Sequence, residues 1–168
     1  HYLLLTLNLL IFLKFKDDIF SIYTTFINEL KSLSQNLKYY LAIITLCIIA
    51  QCSSIPYVID NESYYIQTIK WLNEYGFVKG LVNLHFFLGQ VSGWHITQSA
   101  LNFSFLYKNF NDLSGFCLLL GNIFAIQKLN TFFENNDTKY LIVGLFPLFN
   151  LFLFQFISAP SPDIPVYV

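Results

Sequence analysis

Charge is what this sequence has least of. Only 11% of its 168 residues are charged, against about 25% in an ordinary soluble domain. A soluble domain with so few charges could not coat its own surface, whereas a bilayer removes that requirement. Arginine is missing; all nine basic residues are lysines, spread along the chain, and the net charge is −1. With no basic patch to neutralise phosphates, a nucleic-acid partner is excluded. Methionine is missing too, and the first residue is His1, which leads us to expect a fragment of a longer protein. Cysteine is scarce: Cys47, Cys52 and Cys117 lie in apolar runs without a nearby histidine. They read as small hydrophobes and not as metal ligands. Residues 1–15 lack the basic start and the small-residue cleavage site of a signal peptide.

What is abundant is apolar and aromatic. Hydrophobic residues make up 55%, with 19 Phe and 11 Tyr. The expected fold is all-α: a polytopic transmembrane helix bundle with amphipathic juxtamembrane helices in a large outer loop. Residues 2–13 form a partial span. Residues 16–38, preceded by Lys14, carry Lys16, Asp17, Asp18, Glu29, Lys31 and Lys38. Ile19, Phe20, Tyr23, Phe26, Ile27 and Leu30 recur there at helical spacing, which predicts an amphipathic helix on the cytoplasmic membrane surface. Residues 39–55 have no charge and would rise about 25 Å as a helix, close to the minimum for crossing. Pro56 ends that span. Residues 56–112 hold most of the remaining charge and read as the outer loop, its clearest helix running from Asn61 to Tyr75 with Tyr65, Ile69, Leu72 and Tyr75 on one face and Gly76 as its stop. Residues 113–127 form a weaker span, 129–139 a polar turn, and 140–157 a strong span kinked at Pro147. Asn150 and Gln155 inside it are expected to hydrogen-bond to neighbouring helices. Three prolines make 158–165 a stiff extended loop.

Lysine placement orients the chain. If 56–112 does not cross, Lys14, Lys16, Lys31, Lys38, Lys128 and Lys139 share one side, and Lys70, Lys79 and Lys108 the other. Six against three puts the first group in the cytoplasm. Asp60 and Asp163 then lie on the same outer face, each a few residues past a span. Two carboxylates held together there could bind a divalent metal, or one could act as a base, with Glu62 as a further oxygen donor. Asp60 equally suits a capping position for the helix that begins at Asn61.

The stretch Asp60-Asn61-Glu62-Ser63-Tyr64-Tyr65, followed by an amphipathic helix closing on Gly76, with Ser161-Pro162-Asp163-Ile164-Pro165 in the next outer loop, resembles the GT-C superfamily of membrane glycosyltransferases. The aminoarabinose transferases and protein O-mannosyltransferases belong to that superfamily. The resemblance covers roughly residues 39–168 and departs from the pattern in that Asn61 separates Asp60 from Glu62. It implies sugar transfer from a polyprenyl-phosphate donor at the outer face of the membrane. In that reading Asp60 is general base or metal ligand, and Asp163 assists in metal binding or orientation. Glu62 supports them, and Mg or Mn is the candidate cation. Lys79, His85 or His95 would meet the lipid phosphate. The implied setting is a bacterial inner membrane. Two other classes stay open: a glycan or lipid transporter, and a non-catalytic polytopic protein of envelope assembly.

Overall fold

The structure is a computed structural model that describes residues 2–54, 58–90, 92–102 and 112–168. The expected limits of one span at Ile55 and Pro56, and the position of Lys108, fall outside the described residues.

The described residues are helical throughout, without a strand. Helix α1 (Tyr2–Lys14) is apolar on all sides and packs along α2 (Lys16–Ser32). The surface helix expected over 16–38 is divided. The backbone turns extended at Leu33 (φ −55, ψ 144) and Ser34 (φ −59, ψ 151), and α3 (Gln35–Cys52) leaves at 113° to α2. Two contacts hold this corner: Leu33 is buried in the core, and the Ser34 amide donates to Asn130 Oδ1 at 3.2 Å. Lys38 therefore belongs to α3.

Helix α6 (Asp112–Asn135) is the axis of the fold. It does not stop near 127, and the polar turn expected over 129–139 is reduced to 136–138. The helix continues because Leu129 and Phe132 lie partly buried while Asn130 and Thr131 find partners in Glu134 Oε1 and the Gln127 carbonyl. Asn136, at φ +57, then ends it in a conformation that asparagine tolerates.

Contacts along α6 work as a ruler, at about 1.5 Å per residue. At one end are Asn130 against Ser34 and Leu129 against Gly144. In the middle, Asn122 and Asn150 exchange amide hydrogen bonds of 2.8 and 3.2 Å, and Asn122 also donates to the Leu118 carbonyl at 2.8 Å. This bears out the expectation for Asn150; the Gln155 side chain lies outside the described residues. Further on, Gly121 faces Val168 and Gly115 faces Cys52. Last, Ser114 accepts from Gln98 Nε2 at 3.4 Å. From Leu129 to Gly115 this spans about 21 Å.

The strong span expected over 140–157 is not one helix. It consists of α7 (Lys139–Gly144), a 3-10 turn (Phe146–Phe149) and α8 (Asn150–Ile157). Pro147 has no amide hydrogen to continue an α-helical ladder, so the chain tightens around it. The Pro-rich segment is also corrected. It is a buried turn through Ser158, Ala159, Pro160 and Ser161, followed by a short helix α9 (Asp163–Tyr167). Pro165 is accommodated because it stands in the first turn of α9, where amides lack intrahelical partners.

One helix among the described residues, Leu113–Asn135, is long and apolar enough to cross a membrane, and the bent pair α2–α3 passes the same test together. Large apolar side chains are exposed along α1, α3, α6 and α8, while a smaller set is buried around Leu37, Ile44, Ile48, Leu118 and Ile126.

Candidate functional site

The segment expected to form the outer loop begins at the Asp112 end of α6. The chain leaves α3 at Cys52, which abuts Gly115, and enters a π-helical turn (Asn61–Tyr65) that runs into α4 (Ile66–Tyr75). The extra residue per turn of a π segment shifts the helix face. The buried side becomes Asn61, Thr68 and Ile69, with Tyr65 and Leu72 half-buried. Tyr75 is 66% exposed, so it does not belong to the packed face expected for it. Gly76 ends α4 at φ +69 with its amide donating to the Leu72 carbonyl at 3.1 Å, in the role expected of it.

Helix α5 (Gly93–Ala100) packs beside α4. Ser92 and His95 form a reciprocal cap: the His95 amide donates to Ser92 Oγ (3.2 Å), and the Ser92 amide donates to His95 Nδ1 (3.5 Å). Because Nδ1 accepts, the ring proton sits on Nε2. His95 is 3% exposed. Burial lowers its pKa below the ordinary imidazole value, slightly opposed by the Gln90 carbonyl, so the ring is neutral at pH 7.

Aromatic contacts tie these pieces together. Tyr64 lies 4.3 Å from Tyr65 between ring centroids and stacks on Phe87 at 4.9 Å. Tyr65 lies 5.4 Å from the His95 ring, and Phe87 lies 5.6 Å from His85. The Tyr65 phenol is the meeting point. Its pKa is pushed well above the usual value by burial, then by the hydrogen bond and charge of Tyr64, then by the carboxylates of Asp163 and Asp60. Both acids, far apart in the sequence, thus lie within electrostatic range of one phenol. Tyr65 stays protonated at physiological pH.

The remaining candidates divide. Asp60 is exposed and makes no capping hydrogen bond, so the capping alternative does not account for it. Glu62 is exposed on the π turn. His85 reaches the site through Phe87, and His95 is within it. Lys79 is exposed between Gly76 and Gly80, with no ion pair among the described residues. No cluster of three or more His, Cys, Asp and Glu side chains occurs among the described residues. A metal would thus rest on Asp60, Asp163 and neutral oxygens.

Sequence reasoning missed a set of buried polar groups on the elements that carry the candidates. Asn61 (0% exposed), Thr68, His95, Ser158 and Ser161 carry six buried side-chain atoms with no hydrogen-bond partner among the described residues: both amide atoms of Asn61, three hydroxyls and His95 Nε2. Such groups cost about 1–3 kcal/mol each when left unmet. The signal available was the 61/65/68 spacing, which shares a helix face, and the serines flanking Pro160.

A family model described as a domain of unknown function (DUF8201) matches residues 1–168. The chain belongs to this family. No curated protein and no solved structure matches it. The buried polar groups and the two acids thus lie within the DUF8201 domain itself.

The buried neutral His95 makes stability pH-dependent. In the unfolded chain the imidazole binds its proton near pH 6.5, and in the fold only at lower pH. Between those values the unfolded state holds more protons, so stability is full above pH 6.5 and falls as pH drops through that window. Thermal midpoints measured from pH 7.5 to 5 should decline, and His95→Gln should flatten the decline.

Proposed function

We propose that this DUF8201 chain is part of a multi-pass membrane glycosyltransferase of the GT-C type, acting at the outer face of a bacterial inner membrane. The observation that carries the reading is that the segments bearing Asp60 and Asp163 start side by side: Cys52 Sγ lies 3.9 Å from the Ile157 carbonyl, and both carboxylates add to the charge felt by the Tyr65 phenol. Cys52 also lies against Gly115, at the opposite end of α6 from Lys128.

The polytopic arrangement is supported by the exposed apolar faces of α1, α3, α6 and α8, which suit lipid as solvent. Helix α9 packs back along α6, with Val168 against Gly121 near mid-helix.

Asp60, exposed and uncapped, takes the proton from an acceptor hydroxyl. Asp163 and the Tyr65 O–H orient the reacting groups. The donor is a polyprenyl-phosphate sugar, and the acceptor is a lipid, glycan or protein hydroxyl. A cation would be held by the Asp60 and Asp163 carboxylates, a hard oxygen pair that suits Mg or Mn. When bound there, such a cation would neutralise the leaving phosphate. His85, on the exposed side of Phe87, is the better placed of the phosphate-binding candidates; Lys79 serves only if its loop moves toward the site.

One observation favours a transporter instead: a broken helix with a polar pair, Asn122 and Asn150, near mid-span. Those amides satisfy each other, which leaves them little capacity to hold a solute. Purified full-length protein in proteoliposomes decides between the two. Transfer of labelled sugar from polyprenyl phosphate to an added acceptor extract supports the enzyme. Movement of labelled donor across the bilayer without transfer supports the transporter.

A further inference from the structure

Thr68 departs from a pattern that four other helical threonines follow. Thr24, Thr45, Thr97 and Thr131 each donate to the carbonyl four residues back on their own helix. That bond satisfies a hydroxyl locally. Thr68 is 3% exposed, and its Oγ1 has no hydrogen-bond partner among the described residues. An unmet buried hydroxyl is destabilising, so its surroundings must account for it. Thr68 forms part of the wall of a partly open hollow of about 170 Å³. Trp71 stands beside it, three residues further along α4. Leu81, Val82 and Leu88 come from the two 3-10 turns that follow, Leu81–Asn83 and Phe86–Gly89. Gly80, at φ +87, turns the chain there. Gly89 lets the second turn close on the first, since a Cβ at Gly89 would lie 3.2 Å from Val82 Cβ.

The walls select the ligand. Among the described residues, no charged side chain lines the hollow, so an ion would find no counter-charge. A sugar ring would find one side-chain hydroxyl for its several. An apolar-lined cavity of about 150 Å³ accepts benzene, so this hollow has room for one six-membered ring. A flat ring covers Trp71, Leu81, Val82 and Leu88, and a single hydroxyl on it meets Thr68, which can donate or accept. We propose that the hollow between α4 and the two 3-10 turns binds an uncharged phenol-type ring, with its hydroxyl on Thr68 Oγ1. The site stands apart from the transferase reading, since neither Asp60 nor Asp163 lines it. A substituent on the ring leads out past Val82, which is exposed. Occupancy joins the 3-10 turns to α4 and so restrains the segment that carries His85 and Phe87.

The test uses the full-length protein in lipid nanodiscs and follows ligand fluorine by NMR, with empty nanodiscs as the reference. 4-Fluorophenol should bind saturably and about five-fold more tightly than fluorobenzene, which has the same ring and no hydroxyl. Thr68→Val keeps the side-chain shape. It should remove that advantage, leave fluorobenzene binding unchanged and raise the thermal midpoint of the ligand-free protein, because an unmet hydroxyl is gone. A threonine with only a structural role would lower the midpoint on the same substitution. Val82→Trp, at the exposed rim, should fill the hollow and abolish binding of both ligands. 4-Fluorobenzoate should not bind. p-Cresol should displace 4-fluorophenol. Displacement by N-acetyltyrosinamide as well identifies a tyrosyl side chain of a polypeptide as the source of the ring; displacement by p-cresol alone identifies a free phenolic molecule. Absence of saturable 4-fluorophenol binding overturns the proposal. So does an affinity unchanged in Thr68→Val, binding of both ligands unchanged in Val82→Trp, or 4-fluorobenzoate bound as tightly as 4-fluorophenol.

Discussion

Asp60→Asn is expected to reduce sugar transfer by about a thousandfold while leaving the protein in the membrane at its normal level. The substitution keeps the shape of the side chain and removes its ability to take a proton. Because Asp60 is exposed and makes no cap, its loss should not disturb the π turn. Asp163→Asn should cost less, about ten- to a hundredfold, since that carboxylate orients and does not take the proton in this scheme. The double variant should be no worse than Asp60→Asn alone, because residues that act as one unit lose their effect together. The measurement is initial-rate transfer of labelled sugar from polyprenyl phosphate, normalised to protein in the membrane fraction. Full activity in Asp60→Asn would remove the basis of the proposed function. Equal multiplicative losses in the double variant would mean that the two acids act independently.

The parts of this arrangement that were legible in the sequence are those governed by local patterns. The apolar runs and low charge pointed to an all-helical fold, and Gly76 marked a helix end through its need for positive φ. The lysine bias put Asp60 and Asp163 on one expected face of the membrane; in the fold, the segments that carry them both start near the Gly115 end of α6, where Cys52 meets the Ile157 carbonyl. What was not legible depends on partners distant in the chain. The corner at Leu33–Ser34 needs Asn130, and the continuation of α6 to Asn135 needs the same residue to serve both Ser34 and Glu134. Read alone, 129–139 looks polar because its partners are elsewhere. The π turn also escapes a helical-wheel reading, which assumes 3.6 residues per turn: it rotates Asn61 onto the buried face ahead of Tyr65 and Ile69, while Tyr75 is exposed because it stands at the last position of α4, before Gly76. The prolines misled for another reason. Their effect depends on position within a helix, and Pro165 falls in the first turn of α9 where it is tolerated.

Gly144→Val should be the most destabilising single change outside the site. A Cβ at Gly144 would lie 2.9 Å from Leu129 Cβ, 3.0 Å from its Cδ1 and 3.1 Å from its Cα. The last of these is backbone, so no rotamer change clears the overlap, and α6 and α7 must separate. Overpacking of this kind costs about 3 kcal/mol, and Gly144→Ala about half of that. Gly93 is the control: a Cβ there meets nothing within 4 Å, so Gly93→Ala should be neutral or slightly stabilising at the start of α5. Leu129→Ala should not rescue Gly144→Val, because it removes only the outer part of the leucine and leaves the overlap with its Cβ and with the α6 backbone. Rescue by Leu129→Ala would mean that the helix spacing is not set by backbone approach. The consequence reaches Asp163, because α7 and α8 lead into the Ser158–Ser161 turn before it, and Ile157 at the end of α8 meets Cys52 at the end of α3. Moving α7 outward tilts that turn, and reactions sensitive to placement lose about a hundredfold for an ångström of error. The thermal midpoint and sugar transfer measured on the same Gly144→Val sample should therefore both fall, whereas Gly93→Ala should leave both unchanged.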